Sequence, residues 1–225
     1  MRIYILRHAE SYSNLQGKLL SATDLPLTEK GIKQAEAVKG FLFEEMGINA
    51  FKYAFSSRLL RAKQTADIII GGQHEIKESD YLKEMDLGEI EGLTWAQRAE
   101  KYPHIDIEKA LSTANMPGGE CYSDVEARCK KFIKEYLTPC NTDSNILIVT
   151  HGITKRVLIN CLLHKTSGCV NYLNWADNCS FSEIELNSVS GAGSMVRLNE
   201  RQHLLEQGLG TDNFHEWGNF ADSIQ

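Results

Sequence analysis

"MRIYILRHAES" (residues 1–11) carries four apolar residues, Ile3 to Leu6, straight into Arg7 and His8. A short unbroken apolar run reads as a strand covered on both faces, as in a parallel sheet, rather than as a half-exposed alternating strand. Strand burial alone does not explain the Arg-His pair at its carboxyl end. "NILIVTHG" (145–152) repeats the pattern, with an Ile/Leu/Val run that closes on Thr150 and His151. "YAFSS" (53–57) is a third such strand and leads directly to Arg61.

Helical patterns separate these runs. Thr28 is the expected N-cap of a helix whose Ile32, Ala35, Val38 and Leu42 share one face. Ser57 is the expected cap of the next helix, with Leu60, Ala62, Ala66 and Ile69 among its apolar positions. "TWAQ" (94–97) and "SDVE" (123–126) read as capping boxes, and the second opens a stripe of Val125, Cys129, Phe132, Ile133 and Tyr136. Ile153 to Leu163 is again helical, and "FSEIEL" (181–186) and "SMVRL" (194–198) are expected late strands. The alternation predicts an α/β fold: a mostly parallel central sheet with helices on both faces, in a single domain over residues 1–204. Residues 87–120 lack a strong strand and are expected to form a substrate-facing excursion or cap. Residues 205–225, with Phe214, Trp217 and Phe220, read as a C-terminal tail docked on the body, a disordered end being the competing reading.

The chain has 225 residues, 42% hydrophobic and 24% charged, which is ordinary for a globular domain with a full core. A net charge of −6 argues against non-specific binding to nucleic acid or anionic membrane, which needs basic surface. No apolar run approaches the roughly 18 residues of a membrane span, and the N-terminal run is too short for a signal peptide. The expected location is cytoplasmic. Six cysteines (121, 129, 140, 161, 169 and 179) include no CxxC pair and read as reduced packing residues, with a disulfide framework as the alternative.

In open α/β sheets, sites form at the carboxyl ends of strands. Three strands here deliver Arg7 and His8, Arg61, and His151 to such ends. The two histidines have no partner ligand at helical or hairpin spacing, and the arginines beside them would repel a cation, so a metal site is not expected. Guanidinium forks match phosphoryl oxygens bidentately, and a histidine can act as a nucleophile toward phosphorus.

These strand ends belong to a longer series of blocks. "LRHAES" with Asn14, "DLPLTEKGIKQA" (24–35), "SSRLLRAKQTA" (56–66), "LKEMDLGEIEG" (82–92), "PGGECYSDVEAR" (117–128) and "VTHG" (149–152) run in register, and together the chain resembles the histidine phosphatase superfamily, the phosphoglycerate-mutase-like group. The resemblance implies that His8 is the nucleophile that becomes phosphohistidine. It implies that Arg7, Asn14, Arg61 and His151 bind the transferred phosphoryl group, with His151 also counted among the catalytic residues. Glu84 falls at the proton donor's position, with Asp86, Glu89 and Glu91 as competitors nearby. Glu10 and Glu120 read as loop-ordering groups. Ser11, Ser57 and Thr150 read as hydrogen-bond donors or turn residues, and Asn178 and Ser180 as residues that order the pocket. Ala9 departs from the family, which usually has glycine there, and a methyl group would exclude a strongly positive φ.

The resemblance further implies metal-independent hydrolysis of a small phosphorylated metabolite, with no cofactor. The alternatives are a cofactor-dependent phosphoglycerate mutase and a catalytically silent binding module. A mutase must hold a bisphosphorylated intermediate, whereas the excursion offers only Arg98, Lys101 and Lys109 as cations, and Ser13 stands where mutases commonly carry tryptophan. Silence would be marked by loss of His8, an arginine or the acid, and all are present. Trp95, Tyr102, His104, Met116 and Tyr122 are candidates to line the pocket or pack the cap. No nucleic-acid or membrane partner is expected, and exposed strand or tail surface could serve a homodimer.

Overall fold

The apolar runs become the centre of a six-stranded sheet. The computed structural model of the chain describes residues 1–105, 116–164, 173, 176–187 and 193–211. Strands β1 (Arg2–Arg7), β2 (Tyr53–Ser57), β3 (Ile76–Ser79), β4 (Asn145–Thr150), β5 (Phe181–Glu185) and β6 (Ser194–Glu200) lie in the order β3-β2-β4-β1-β5-β6. The first four run parallel, and β5 and β6 complete one edge in antiparallel pairing. Helices α1 (Glu29–Gly40), α2 (Leu60–Ile70), α3 (Trp95–Lys101), α4 (Tyr122–Phe132), α5 (Gly152–Leu162) and α6 (Gln202–Leu205) surround it.

Burial on both sides explains why β1 and β4 read as unbroken apolar runs. Ile3, Ile5, Ile146 and Ile148 pack with Val125 and Phe132 of α4 and Val157 of α5. Tyr4, Leu6, Leu147 and Val149 face the other way, onto Ala35 and Val38 of α1 and Ala66 and Ile69 of α2. Among the described residues no helix is long and apolar enough to cross a membrane. The five described cysteines are free, and Cys169 lies outside the described residues.

Local signals held where tertiary contacts did not compete with them. Thr28 caps α1 by accepting the Gly31 N–H, and Thr94 and Gln97 form the expected capping box. Ile32, however, is exposed, because at 100° per residue it lies off the face shared by Ala35, Val38 and Leu42. Leu60 is likewise exposed. Ser57 does not cap α2, whose N-cap is Leu59; its Oγ accepts the Leu59 N–H at 3.3 Å and lies 2.8 Å from His151 Nε2. The box at α4 is Cys121 with Asp124, so "SDVE" lies inside the helix.

In the excursion, α3 and a 3-10 turn at Gly88–Ile90 are described, and Lys109 lies outside the described residues. The start of the expected tail docks on α1, where Gln34 Nε2 donates to the Leu209 carbonyl and Lys30 Nζ to that of Gly210. Phe214, Trp217 and Phe220 lie outside the described residues.

Candidate active site

The sheet register assembles the site. β1 and β4 are parallel neighbours with Arg7 opposite Thr150, so the next residue of each, His8 and His151, emerges side by side. The His8 N–H donates to the Thr150 carbonyl at 2.8 Å, and the two imidazole rings lie 5.0 Å apart. β2 flanks β4 with Ser56 opposite Val149, so Ser57 reaches His151, its Oγ 2.8 Å from Nε2. Among the described residues His151 Nδ1 has no hydrogen-bond partner.

The surroundings of His8 select one tautomer. Nδ1 lies 2.7 Å from the Ala9 carbonyl, an acceptor, and therefore carries the proton. Nε2 is left with its lone pair and accepts from Arg61 Nε at 3.3 Å. Burial, then the charges of Arg61 and Arg7, hold the His8 pKa well below the usual 6.5. Burial and Arg61 do the same for His151. Both rings are thus neutral at pH 7. Ala9 is fully buried and is not among the residues with positive φ, so its methyl group is accommodated without strain. Its N–H donates to Thr65 Oγ1, which ties the loop to α2.

The cationic groups are held from behind. Arg61, buried in the first turn of α2, donates NH1 to the Thr23 carbonyl at 2.9 Å and NH2 to that of Ser21 at 2.8 Å. Burial lowers its pKa, an effect that Glu84, Asp24 and Glu91 oppose. Arg7 NH1 donates to the Ala176 carbonyl at 2.6 Å. Asn14 Oδ1 accepts from the Ser11 N–H and hydroxyl, which leaves the amide Nδ2 as the donor it can offer to the pocket it lines.

Glu84 stands at the amino end of α5. Its carboxylate accepts the Ile153 and Thr154 N–H groups, each at 3.2 Å, and it lines the same pocket as Arg7, His8, Asn14 and Arg61. The competing carboxylates are engaged elsewhere. Asp86 accepts from Gly88 N, and Glu89 from the Tyr102 hydroxyl. Glu91 takes four hydrogen bonds from the N–H and hydroxyl groups of Ser21 and Thr23. Burial alone would raise the Glu91 pKa, but these donors outweigh it and hold the carboxyl below its ordinary range.

Loop-ordering roles are visible in the contacts. Glu10 accepts from Thr28 Oγ1, and the carbonyl of Glu10 lies so close to α1 that a Cβ on Gly31 would stand 2.0 Å from it. Glu120 pairs with Arg128 at 2.9 Å. Thr150 Oγ1 donates to the Leu82 carbonyl. Of the excursion candidates, Trp95 lines the pocket, whereas Met116 and Tyr122 are in the core and His104 is exposed.

Three further supports hold the site, and of these only the turn with Asn178 and Ser180 is expected from the sequence. One is Glu91, which fixes the segment whose carbonyls hold Arg61. The second is the turn Asp177–Ser180, which grips the end of β1: Asn178 Nδ2 donates to the His8 carbonyl at 2.9 Å, and Arg7 N to the Ser180 carbonyl at 3.2 Å. The third is Lys155, fully buried, whose Nζ donates to that same Ser180 carbonyl at 3.0 Å. Burial, then Arg7, push the Lys155 pKa well below the usual lysine range, against the pull of Asp177 and Cys179. A helical period that places lysine among apolar residues is the only trace of it in the sequence.

Comparison with known proteins bears on the family and the fold. A family model described as the histidine phosphatase superfamily (branch 1) matches residues 3–201. The chain is 30% identical over 169 residues to 2,3-bisphosphoglycerate-dependent phosphoglycerate mutase 2 of Gloeobacter violaceus, covering 72% of this chain and 75% of that protein. It is 33% identical over 166 residues to a 6-phosphofructo-2-kinase/fructose-2,6-bisphosphatase of Caenorhabditis elegans, covering 72% of this chain and 33% of that one. Among solved structures, a mycobacterial glucosyl-3-phosphoglycerate phosphatase superposes with a TM-score of 0.78 at 25% identity, covering 89% of this chain and 99% of that chain.

Proposed function

The chain belongs to the histidine phosphatase superfamily, and from that premise we propose that it is a metal-independent phosphomonoester hydrolase, acting in the cytoplasm on a small phosphorylated metabolite through a phosphohistidine. The observation that carries this reading is the orientation of His8. Its Nδ1–H is tied to the Ala9 carbonyl, so the lone pair of Nε2 faces the guanidinium of Arg61.

In the first step Nε2 forms a bond to phosphorus as the bond to the ester oxygen breaks. Glu84 gives its proton to the departing alkoxide, a contribution worth about 10²–10⁴-fold in such reactions. Arg7, Arg61, Asn14 and His151 hold the equatorial oxygens and stabilise the charge that develops on them. In the second step Glu84 takes a proton from water, whose oxygen bonds to phosphorus as the Nε2–P bond breaks. The products are alcohol and inorganic phosphate.

A mutase is the second reading, favoured by the name of the Gloeobacter relative. It needs a second anion site to retain a bisphosphorylated intermediate. Beyond Arg7 and Arg61, the cation among the described lining residues is Lys18, which is exposed and therefore weakly effective. The deciding assay incubates the protein with 3-phosphoglycerate and with p-nitrophenyl phosphate in EDTA. Phosphate release that outpaces exchange between the 2- and 3-positions supports the hydrolase. Faster exchange supports the mutase, and no turnover of any ester supports a silent module.

A further inference from the structure

The pocket changes character beyond His8. Apolar side chains of Leu20, Leu87, Trp95 and Ile153 line it, with Gly17 and Lys18 beside them. This wall is built rather than incidental. Leu19 N donates to the Leu93 carbonyl at 2.9 Å and Gly92 N to the Leu19 carbonyl at 2.8 Å, and Lys18 bridges Thr94, so residues 18–20 are zipped to the segment that opens α3. Thr94 and Gln97 then cap α3, which fixes Trp95 at its first position. Arg98 stacks its guanidinium 5.7 Å from the Trp95 ring centroid but is itself buried and bonded to the Ile105 carbonyl, and it does not line the pocket.

We propose that this wall receives the apolar part of the leaving alcohol, so that the substrate class is phosphomonoesters of alcohols bearing an alkyl or aryl group, not esters with a second phosphate or a carboxylate. The inference rests on the hydrolase reading and deepens it. A second anionic group placed against Leu20, Leu87, Trp95 and Ile153 would lose hydration without gaining a buried partner. An alkyl or aryl group there gains about fourfold in affinity for each methylene removed from water.

The test uses the full chain and the ethyl, butyl and hexyl phosphates, whose alcohols are of similar acidity, together with 3-phosphoglycerate, and reads released phosphate. The expected result is a kcat/KM for hexyl phosphate at least about tenfold above that for ethyl phosphate, with 3-phosphoglycerate below both. In Trp95→Ala the hexyl-to-ethyl ratio falls several-fold, and Trp95→Phe restores most of it. A flat series, or a preference for 3-phosphoglycerate over hexyl phosphate, overturns this inference and leaves the hydrolase reading standing. Hydrolysis of none of the esters overturns both. The alkyl series is run on the unmutated chain, so its outcome does not depend on either variant folding.

Discussion

The inner and outer halves of the pocket are made by different means. The inner half is the product of sheet register: adjacent parallel strands end together, and His8, His151 and Ser57 meet because β1, β4 and β2 are neighbours. Its side chains are buried and backed by named acceptors, as with Arg61 on the carbonyls of Ser21 and Thr23. The apolar part of the lining comes from two short segments zipped to each other, joined by Ile153 at the start of α5. Under the proposed function, such a division would let the choice of ester change through residues 17–20 and 87–95 while the groups at the strand ends stay in place.

The largest effect that would break the comparison lies in the inner half. His8→Ala is expected to reduce hydrolysis to assay background while the chain remains folded by circular dichroism; retained turnover would show that the strand ends do not carry the chemistry. Glu84→Gln comes next, with kcat lower by about 10²–10⁴-fold and inhibition by inorganic phosphate preserved, as measured by initial rates.

Glu91→Ala probes the join between the halves. It strands the N–H and hydroxyl groups of Ser21 and Thr23, so chemical denaturation should show a loss of about 1.5–3 kcal/mol. Because those residues' carbonyls hold Arg61, kcat/KM should fall as well, and Glu91→Gln should recover part of both. A stability loss with unaltered kinetics would separate the clamp from the site.

The smallest effect is on pH dependence. His8, His151 and His203 are all held below the usual 6.5, in each case first by burial. The unfolded chain therefore binds more protons than the folded one as pH falls below about 6.5, and stability is lost in that direction, by at most about 1.4 kcal/mol per histidine per pH unit. Melting temperature should decline from pH 7 to pH 5, and the acid limb of kcat/KM should lie below 6.5 rather than at it. An acid limb centred at 6.5 would mean that His8 titrates as a solvated imidazole.

Much of this molecule was legible before its structure. The apolar runs 3–6 and 146–149 read as strands covered on both sides, since burial of both faces removes the alternation of a half-exposed strand. Arg7, His8, Arg61 and His151 were legible as polar groups delivered at strand ends, and Glu84 through the family resemblance alone; the fold brings them to one pocket or its immediate back wall. What was misread shares a cause. Ser57 looks like a helix cap, yet its hydroxyl serves the turn at Leu59 and a histidine 94 positions away, and local sequence carries no trace of the second pairing. Cys121 and Ser123 offer overlapping capping frames, and the hydrogen bond from Cys121 N to Asp124 selects between them. The supports of Arg61 and Arg7 were invisible for a related reason: they are backbone carbonyls, which every residue has, placed by Glu91 and Lys155 through contacts that span the chain.

The proposed function converges on one covalent event at His8, so the most direct measurement is to trap it. The protein is mixed with a rapidly turned-over phosphomonoester, quenched in base within milliseconds, digested, and read by mass spectrometry. The account predicts a base-stable, acid-labile phosphoryl group on the peptide containing His8, absent in His8→Ala. Turnover with no adduct, or an adduct on another side chain, would contradict it.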